Sequence, residues 1–164
     1  MQSYLRDRLS MLPFMWPEQK KWGLPYYFLG GMHGDEINGV EIIRRLVDRR
    51  WNIPSAGTTI SIPILNVFGF IQFSRYVPDG KDVNRSFPGS KNGSLASRIA
   101  YFLRTEILPN VDYGIDFHTG GAERTNYPQI RGMMQNLTNL ELAKAFSSPF
   151  HFECKFQSQI LTTN

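Results

Sequence analysis

Cysteine is nearly absent from this sequence, which has one, Cys154, among its 164 residues. A single cysteine cannot form a disulfide within the chain, which excludes the disulfide scaffold of a small secreted protein. Long apolar runs are also lacking, since no stretch approaches the roughly 20 residues that span a membrane. The first residues lack the charged-then-apolar order and the cleavage site of a signal peptide. We therefore expect a soluble, cytoplasmic protein.

The overall composition is that of one globular domain. With 41% hydrophobic residues, the chain can bury a sizeable core. The net charge of +4 would suit an acidic substrate but does not decide between function classes. No aromatic platform or nucleic-acid motif accompanies the arginines of the first predicted helix, Arg44, Arg45, Arg49 and Arg50. We predict no nucleic-acid and no membrane partner, and the composition leaves the oligomeric state open.

Hydrophobic periodicity predicts the fold class. The apolar run Tyr26–Leu29 ends at glycines, as expected for a strand that is buried on both faces of a largely parallel sheet. Helical spacing then runs from Asn38 to Trp51, and alternation from Thr58 to Leu65 predicts a strand. Pro63 indicates that this strand lies at a sheet edge or ends there. A helix after Ser94 and a strand at 113–117 follow. This order predicts an α/β fold, a mixed and largely parallel sheet flanked by helices.

The last third of the chain carries weaker signals. Thr138 and Glu141 have the spacing of a capping box and predict a short helix through Phe146. The alternating run Phe150–Phe156 predicts a half-buried strand. We place the domain boundaries around these elements: an irregular N-terminal segment at residues 1–25, a catalytic domain at 26–156 and a tail at 157–164.

Three side chains have the chemistry of a catalytic zinc site. Such sites take three histidine or carboxylate ligands and leave a fourth position open. His33 and Glu36 lie three residues apart after the first predicted strand, and His118 follows a later one. The carboxyl ends of parallel strands are where ligands bind in α/β sheets. These ligand types favour Zn²⁺ over magnesium or calcium, although a His-x-x-Glu spacing alone often occurs by chance.

Three segments in order resemble the successive signatures of a known family. Gly31–Gly39, Asp82–Gly89 and Asp116–Gly120 are similar to those of the succinylglutamate desuccinylase/aspartoacylase family, a branch of the zinc carboxypeptidase-like hydrolases. The similarity runs from about residue 26 to 155. It implies a zinc carboxypeptidase-like fold and hydrolysis of the amide bond of a small N-acyl amino acid by metal-activated water. It also implies three zinc ligands: His33, Glu36 and His118.

The resemblance assigns further roles around the metal. Arg75 would polarise the scissile carbonyl and stabilise the oxyanion, an electrostatic role. Asn84 and Arg85 would bind the substrate carboxylate, which suits a planar guanidinium. Asp82 would orient a zinc-bound histidine. Asp116 shares a side of its strand with His118, so it either faces the site or makes local hydrogen bonds.

One part of the family pattern is not found in this sequence. The resemblance calls for a downstream glutamate that takes a proton from the activated water and returns it to the leaving amine. Glu123, Glu141 and Glu153 lack the expected local context. We therefore expect a truncated chain, incomplete at the C-terminal side. A metallocarboxypeptidase-type peptidase and a non-catalytic zinc-binding fragment are the alternative functions.

Overall fold

The computed structural model describes residues 25–122 and 124–154. All but residue 25 of the predicted N-terminal segment, and the whole of the predicted tail at 157–164, lie outside the described residues. Glu123 and the end of the predicted strand at 155–156 also lie outside them.

In the described part of the chain, the main sheet has three parallel strands. β1 (Tyr26–Leu29) lies in the centre, between β2 (Thr59–Ile62) and β3 (Tyr113–Asp116). The apolar run of the sequence thus becomes the buried central strand, as predicted. Pro63 follows the end of the edge strand β2, where its missing N–H removes no ladder hydrogen bond.

Helices cover both faces of this sheet. On one face α1 (Ile37–Asp48) packs Ile43 and Leu46 against Phe28 of the central strand. On the other face Tyr27 and Leu29 join the core cluster of α3 (Leu95–Phe102). α3 continues through a π-helical turn at 103–107 and a 3-10 turn at 108–110 into β3. The five-residue α2 (Val67–Ile71) and a 3-10 turn at 84–86 lie in the long connection after β2. The α/β expectation is confirmed, and all strand pairs within the described residues are parallel.

A second, two-stranded parallel sheet follows. It pairs β4 (Gln129–Gly132) with β5 (Phe150–Glu153), and α4 (Leu137–Phe146) connects the two strands. The capping-box prediction was wrong, because Asn136 immediately before the helix accepts hydrogen bonds from the backbone N–H groups of Thr138 and Asn139. The prediction that β5 is half-buried was also wrong, because its four residues are all exposed.

Among the described helices, none has the length and apolar character needed to cross a membrane. The cytoplasmic location remains a prediction from the sequence.

Candidate metal centre

The first two candidate ligands lie on a tight turn between β1 and α1. Gly31 has a φ of +57°, in the left-handed region that favours glycine. Gly34 packs directly on Gly69 of α2, so closely that a Cβ at Gly34 would overlap the Gly69 backbone. This close contact anchors the turn between His33 and Glu36, whose relative exposures are only 2% and 3%.

Both histidines direct the same ring nitrogen at one carboxylate. His33 Nδ1 lies 2.7 Å from Glu36 Oε1, and His118 Nδ1 lies 3.0 Å from Glu36 Oε2. The three side chains each offer a ligand atom within 4.8 Å of the others. His118 reaches the turn because β3, which ends two residues before it, is paired with β1. Two imidazole nitrogens and one carboxylate oxygen are a donor set that fits zinc.

Each histidine also has a carboxylate at its outward nitrogen. His33 Nε2 lies 3.3 Å from Asp82 Oδ1, and His118 Nε2 lies 2.7 Å from Asp116 Oδ2. Asp82 is buried, whereas the Asp116 side chain is 26% exposed. Asp116 lies beside the site and makes a local hydrogen bond to His118, so the structure shows both arrangements that the sequence left as alternatives.

Asp82 also contacts Arg75 and two residues of its own motif, Asn84 and Arg85. The Arg75 guanidinium donates to Asp82 Oδ2 at 2.9 Å and lies 3.4 Å from Glu36 Oε1. The backbone N–H of Asn84 donates to Asp82 Oδ1 at 2.8 Å. Arg85 Nε is 3.6 Å from Asp82 Oδ2, while the Arg85 side chain is 81% exposed. The predicted site residues are thus brought around one cluster, and Arg85 extends from it into solvent.

The cluster shifts the pKa values of its members in opposite directions. Burial favours the neutral form of Glu36, but hydrogen bonds from His118, His33 and the Thr119 N–H outweigh it and hold the Glu36 pKa well below its usual range. Burial likewise disfavours the charged His118 ring, but its bonds to Asp116 and Glu36 raise its pKa to about 10. The carboxylates around His118 thus favour the protonated form of its ring.

These shifts predict how the stability of the metal-free protein depends on pH. A raised His118 pKa contributes stability that is complete below the ordinary value of 6.5 and is lost as the pH rises through about 10. A lowered Glu36 pKa contributes stability that is present above 4.5 and is lost as the pH falls further. We expect the free energy of unfolding from urea titrations of chelator-treated protein to be highest between these ordinary values. A profile that does not fall on the alkaline side would contradict the ion pairs of His118.

Two backbone contacts at the site were missed by sequence reasoning. The N–H of Thr119 donates to Glu36 Oε2 at 2.8 Å, and the N–H of Ala122 donates to Asp35 Oδ2 at 3.0 Å. They tie the loop after His118 to the turn after β1. Every residue except proline carries a backbone N–H, so the sequence holds no signal that would have identified these two donors.

The parallel α/β layer and its His-Glu-His cluster define the class of this protein. It is an α/β protein with a candidate metal site at the carboxyl edge of its sheet. The chain belongs to the succinylglutamate desuccinylase/aspartoacylase catalytic domain family, whose profile matches residues 23–163. The family predicted from the three motifs is confirmed.

Relatives agree with this assignment. The chain is 33% identical over 127 residues to the N-alpha-acetyl-L-2,4-diaminobutyric acid deacetylase of Halomonas elongata, covering 74% of this chain and 37% of that protein. The crystal structure of a succinylglutamate desuccinylase/aspartoacylase from Rhodobacter sphaeroides matches with a TM-score of 0.72 and 31% identity, over 79% of this chain and 42% of that one. An aspartoacylase family protein from Mesorhizobium loti gives a TM-score of 0.73 and 31% identity, over 82% and 45%. The chain spans less than half the length of these relatives.

Proposed function

We propose that this chain binds one zinc ion through His33, Glu36 and His118 and serves in hydrolysis of the amide bond of a small N-acyl amino acid. The observation that carries the proposal is the convergence of both Nδ1 atoms on the Glu36 carboxylate, with a further carboxylate behind each ring. Family membership supports deacylation, and so does the similarity to a protein named as an N-acetyl amino acid deacetylase.

Different residues of the chain would bind the substrate and stabilise the charge that develops on it. Bound zinc would polarise the acyl carbonyl and lower the pKa of water toward about 7. The Arg75 guanidinium, next to Glu36, stabilises negative charge that develops on the carbonyl oxygen. Arg85 binds the carboxylate of the amino acid, because its exposed guanidinium retains donors for a bidentate contact, and Asn84 lies beside it. Asp82 orients His33.

Proton transfer is the step for which we assign no residue. Three carboxylates at the site, Glu36, Asp82 and Asp116, are each bonded to a histidine, and the first two also to Arg75. A group that holds a ligand in place is a poor choice for shuttling protons. For the described residues, this observation favours a second candidate function, zinc binding without turnover.

Metal analysis and activity assays on the purified chain separate these functions. We expect one zinc per chain, hydrolysis of N-acyl amino acids such as N-acetyl-L-2,4-diaminobutyrate, and no release of C-terminal residues from peptides. Cleavage of the peptides instead would identify a metallocarboxypeptidase-type enzyme. Zinc binding without either reaction would support the non-catalytic candidate.

A matched pair of histidine variants tests whether the metal lies where we propose. His33→Ala removes a buried donor of the cluster and is expected to eliminate zinc binding. His151→Ala removes a histidine of the exposed strand β5 and should leave one zinc per chain. Absence of zinc in the unmodified protein, or its retention by His33→Ala, would overturn the proposed site.

A further inference from the structure

We propose that Asp116 is a positioning residue that holds the His118 ring with Nδ1 directed at the metal, so that each histidine of the site has its own orienting carboxylate. This inference rests on the proposed zinc site and adds to it a residue outside the ligand set. The geometry that carries it is the 2.7 Å contact between His118 Nε2 and Asp116 Oδ2.

The backbone of Asp116 is held in place by the sheet. It is the last residue of β3 and lies in register with Leu29 of the buried central strand. Residues two apart in an extended chain face the same side, which brings His118 over Asp116. The carboxylate therefore approaches the ring from a rigid element, as an orienting group must.

Within the described residues, the His118 ring is the sole hydrogen-bond partner of this carboxylate. Asp116 Oδ2 contacts His118 Nε2, whereas Asp116 Oδ1 is buried and has no partner there. Toward the described residues, the hydrogen bonding of this carboxylate is therefore directed at His118 alone.

The position of the ring proton explains what the contact does for the metal. A neutral imidazole carries one proton, and a carboxylate acceptor at Nε2 keeps the proton there. The lone pair is then on Nδ1, the nitrogen that lies 3.0 Å from Glu36 Oε2 inside the donor set. Carboxylates behind metal-bound histidines commonly select the tautomer in this way.

His118 needs such a partner more than His33 does. The His33 side chain is 2% exposed and is held by its packed surroundings, whereas the His118 side chain is 34% exposed. A ring that is one-third exposed is restrained less by packing than a fully buried one. The contact of His118 Nε2 with Asp116 is also the shorter one, at 2.7 Å, whereas His33 Nε2 lies 3.3 Å from Asp82.

The inference is tested by the zinc affinities of three variants of the chain, measured by competition with a chromophoric chelator. We expect Asp116→Asn, which keeps the size of the side chain, to weaken zinc binding about 10- to 100-fold, and Asp116→Ala to weaken it at least as much. Asp112→Asn removes a comparable charge from an exposed aspartate just before β3 and should bind zinc like the unmodified protein.

A second measurement reports on the ring itself. Long-range ¹H–¹⁵N spectra distinguish the two imidazole nitrogens, and the chain has only three histidines, which simplifies assignment. In the zinc-loaded protein we expect His118 to be metal-bound at Nδ1 and protonated at Nε2. In Asp116→Ala the hydrogen-bonded Nε2 proton signal should disappear, whereas the His33 and His151 signals should keep their positions.

The outcomes separate this inference from the proposed function. If the unmodified chain binds zinc and both Asp116 variants bind it equally well, Asp116 has no positioning role although the zinc site stands. If the unmodified chain binds no zinc, the proposed function fails and this inference with it. Circular dichroism of the metal-free variants reports folding, and should Asp116→Ala not fold, the isosteric Asp116→Asn decides the result.

Discussion

Replacing Glu36 with glutamine is expected to eliminate stoichiometric zinc binding. Glu36 supplies the only carboxylate of the three-residue donor set and lies between the two histidine Nδ1 atoms. The amide of glutamine is neutral and a poor zinc ligand. The loss of affinity should therefore exceed the about 10- to 100-fold that removal of an orienting partner typically causes. Metal content by mass spectrometry and the zinc dissociation constant from calorimetry check this result.

The matched control for Glu36→Gln lies in α1, the helix that begins directly after Glu36. Glu41→Gln changes an exposed glutamate of α1 that pairs with Arg44 and Arg45 at the surface. Exposed ion pairs contribute little to stability, so this variant should keep both its fold and its zinc. Retention of one zinc per chain by Glu36→Gln, at unchanged affinity, would show that the metal is bound elsewhere.

Gly34→Ala is expected to destabilise the chain by about 3 kcal/mol, at the upper end of the range for overpacked sites. The added Cβ would overlap the backbone of Gly69 in α2, which cannot move aside as a flexible side chain can. The turn after β1 would have to shift, and it carries both His33 and Glu36. We therefore expect a lower midpoint in urea and also weaker zinc binding by the fraction that remains folded.

Gly132→Ala provides the comparison for this steric effect. A Cβ at Gly132 in β4 would meet one side-chain atom, Cε of Met134, at the ordinary contact distance of 3.4 Å. This variant should change the free energy of unfolding by no more than about 0.5 kcal/mol. Equal destabilisation by the two substitutions would mean that the close packing of Gly34 on Gly69 does not anchor the turn.

The elements nearest the site could be predicted from the sequence because their signals are local. An apolar run closed by glycines identified β1, and apolar steps of three and four identified α1. Ser94 was correctly expected to precede a helix, whose Ser97 N–H donates to its hydroxyl. The start of α4 was predicted wrongly because two local signals competed. Asn136 directly precedes α4 and caps it, whereas the prediction placed Thr138 in that position.

The exposure of β5 could not be predicted in the same way. Alternation of apolar and polar residues shows which side chains share a face, but not whether a neighbouring layer covers that face. In the described chain, Phe150 and Phe152 remain about half exposed, and their ring contacts are with each other and with Tyr127.

By itself, the sequence determined the family through three motifs with short, fixed spacings, and the parallel α/β class through hydrophobic periodicity. The same motifs predicted the candidate zinc ligands. Only the tertiary structure decided which atoms meet. Glu36 and His118 are 82 positions apart and come together through the pairing of β1 with β3. The loop after α2 likewise brings Arg75 to Asp82. Such contacts depend on the positions of whole elements in space, and residue spacing along the chain does not encode them directly.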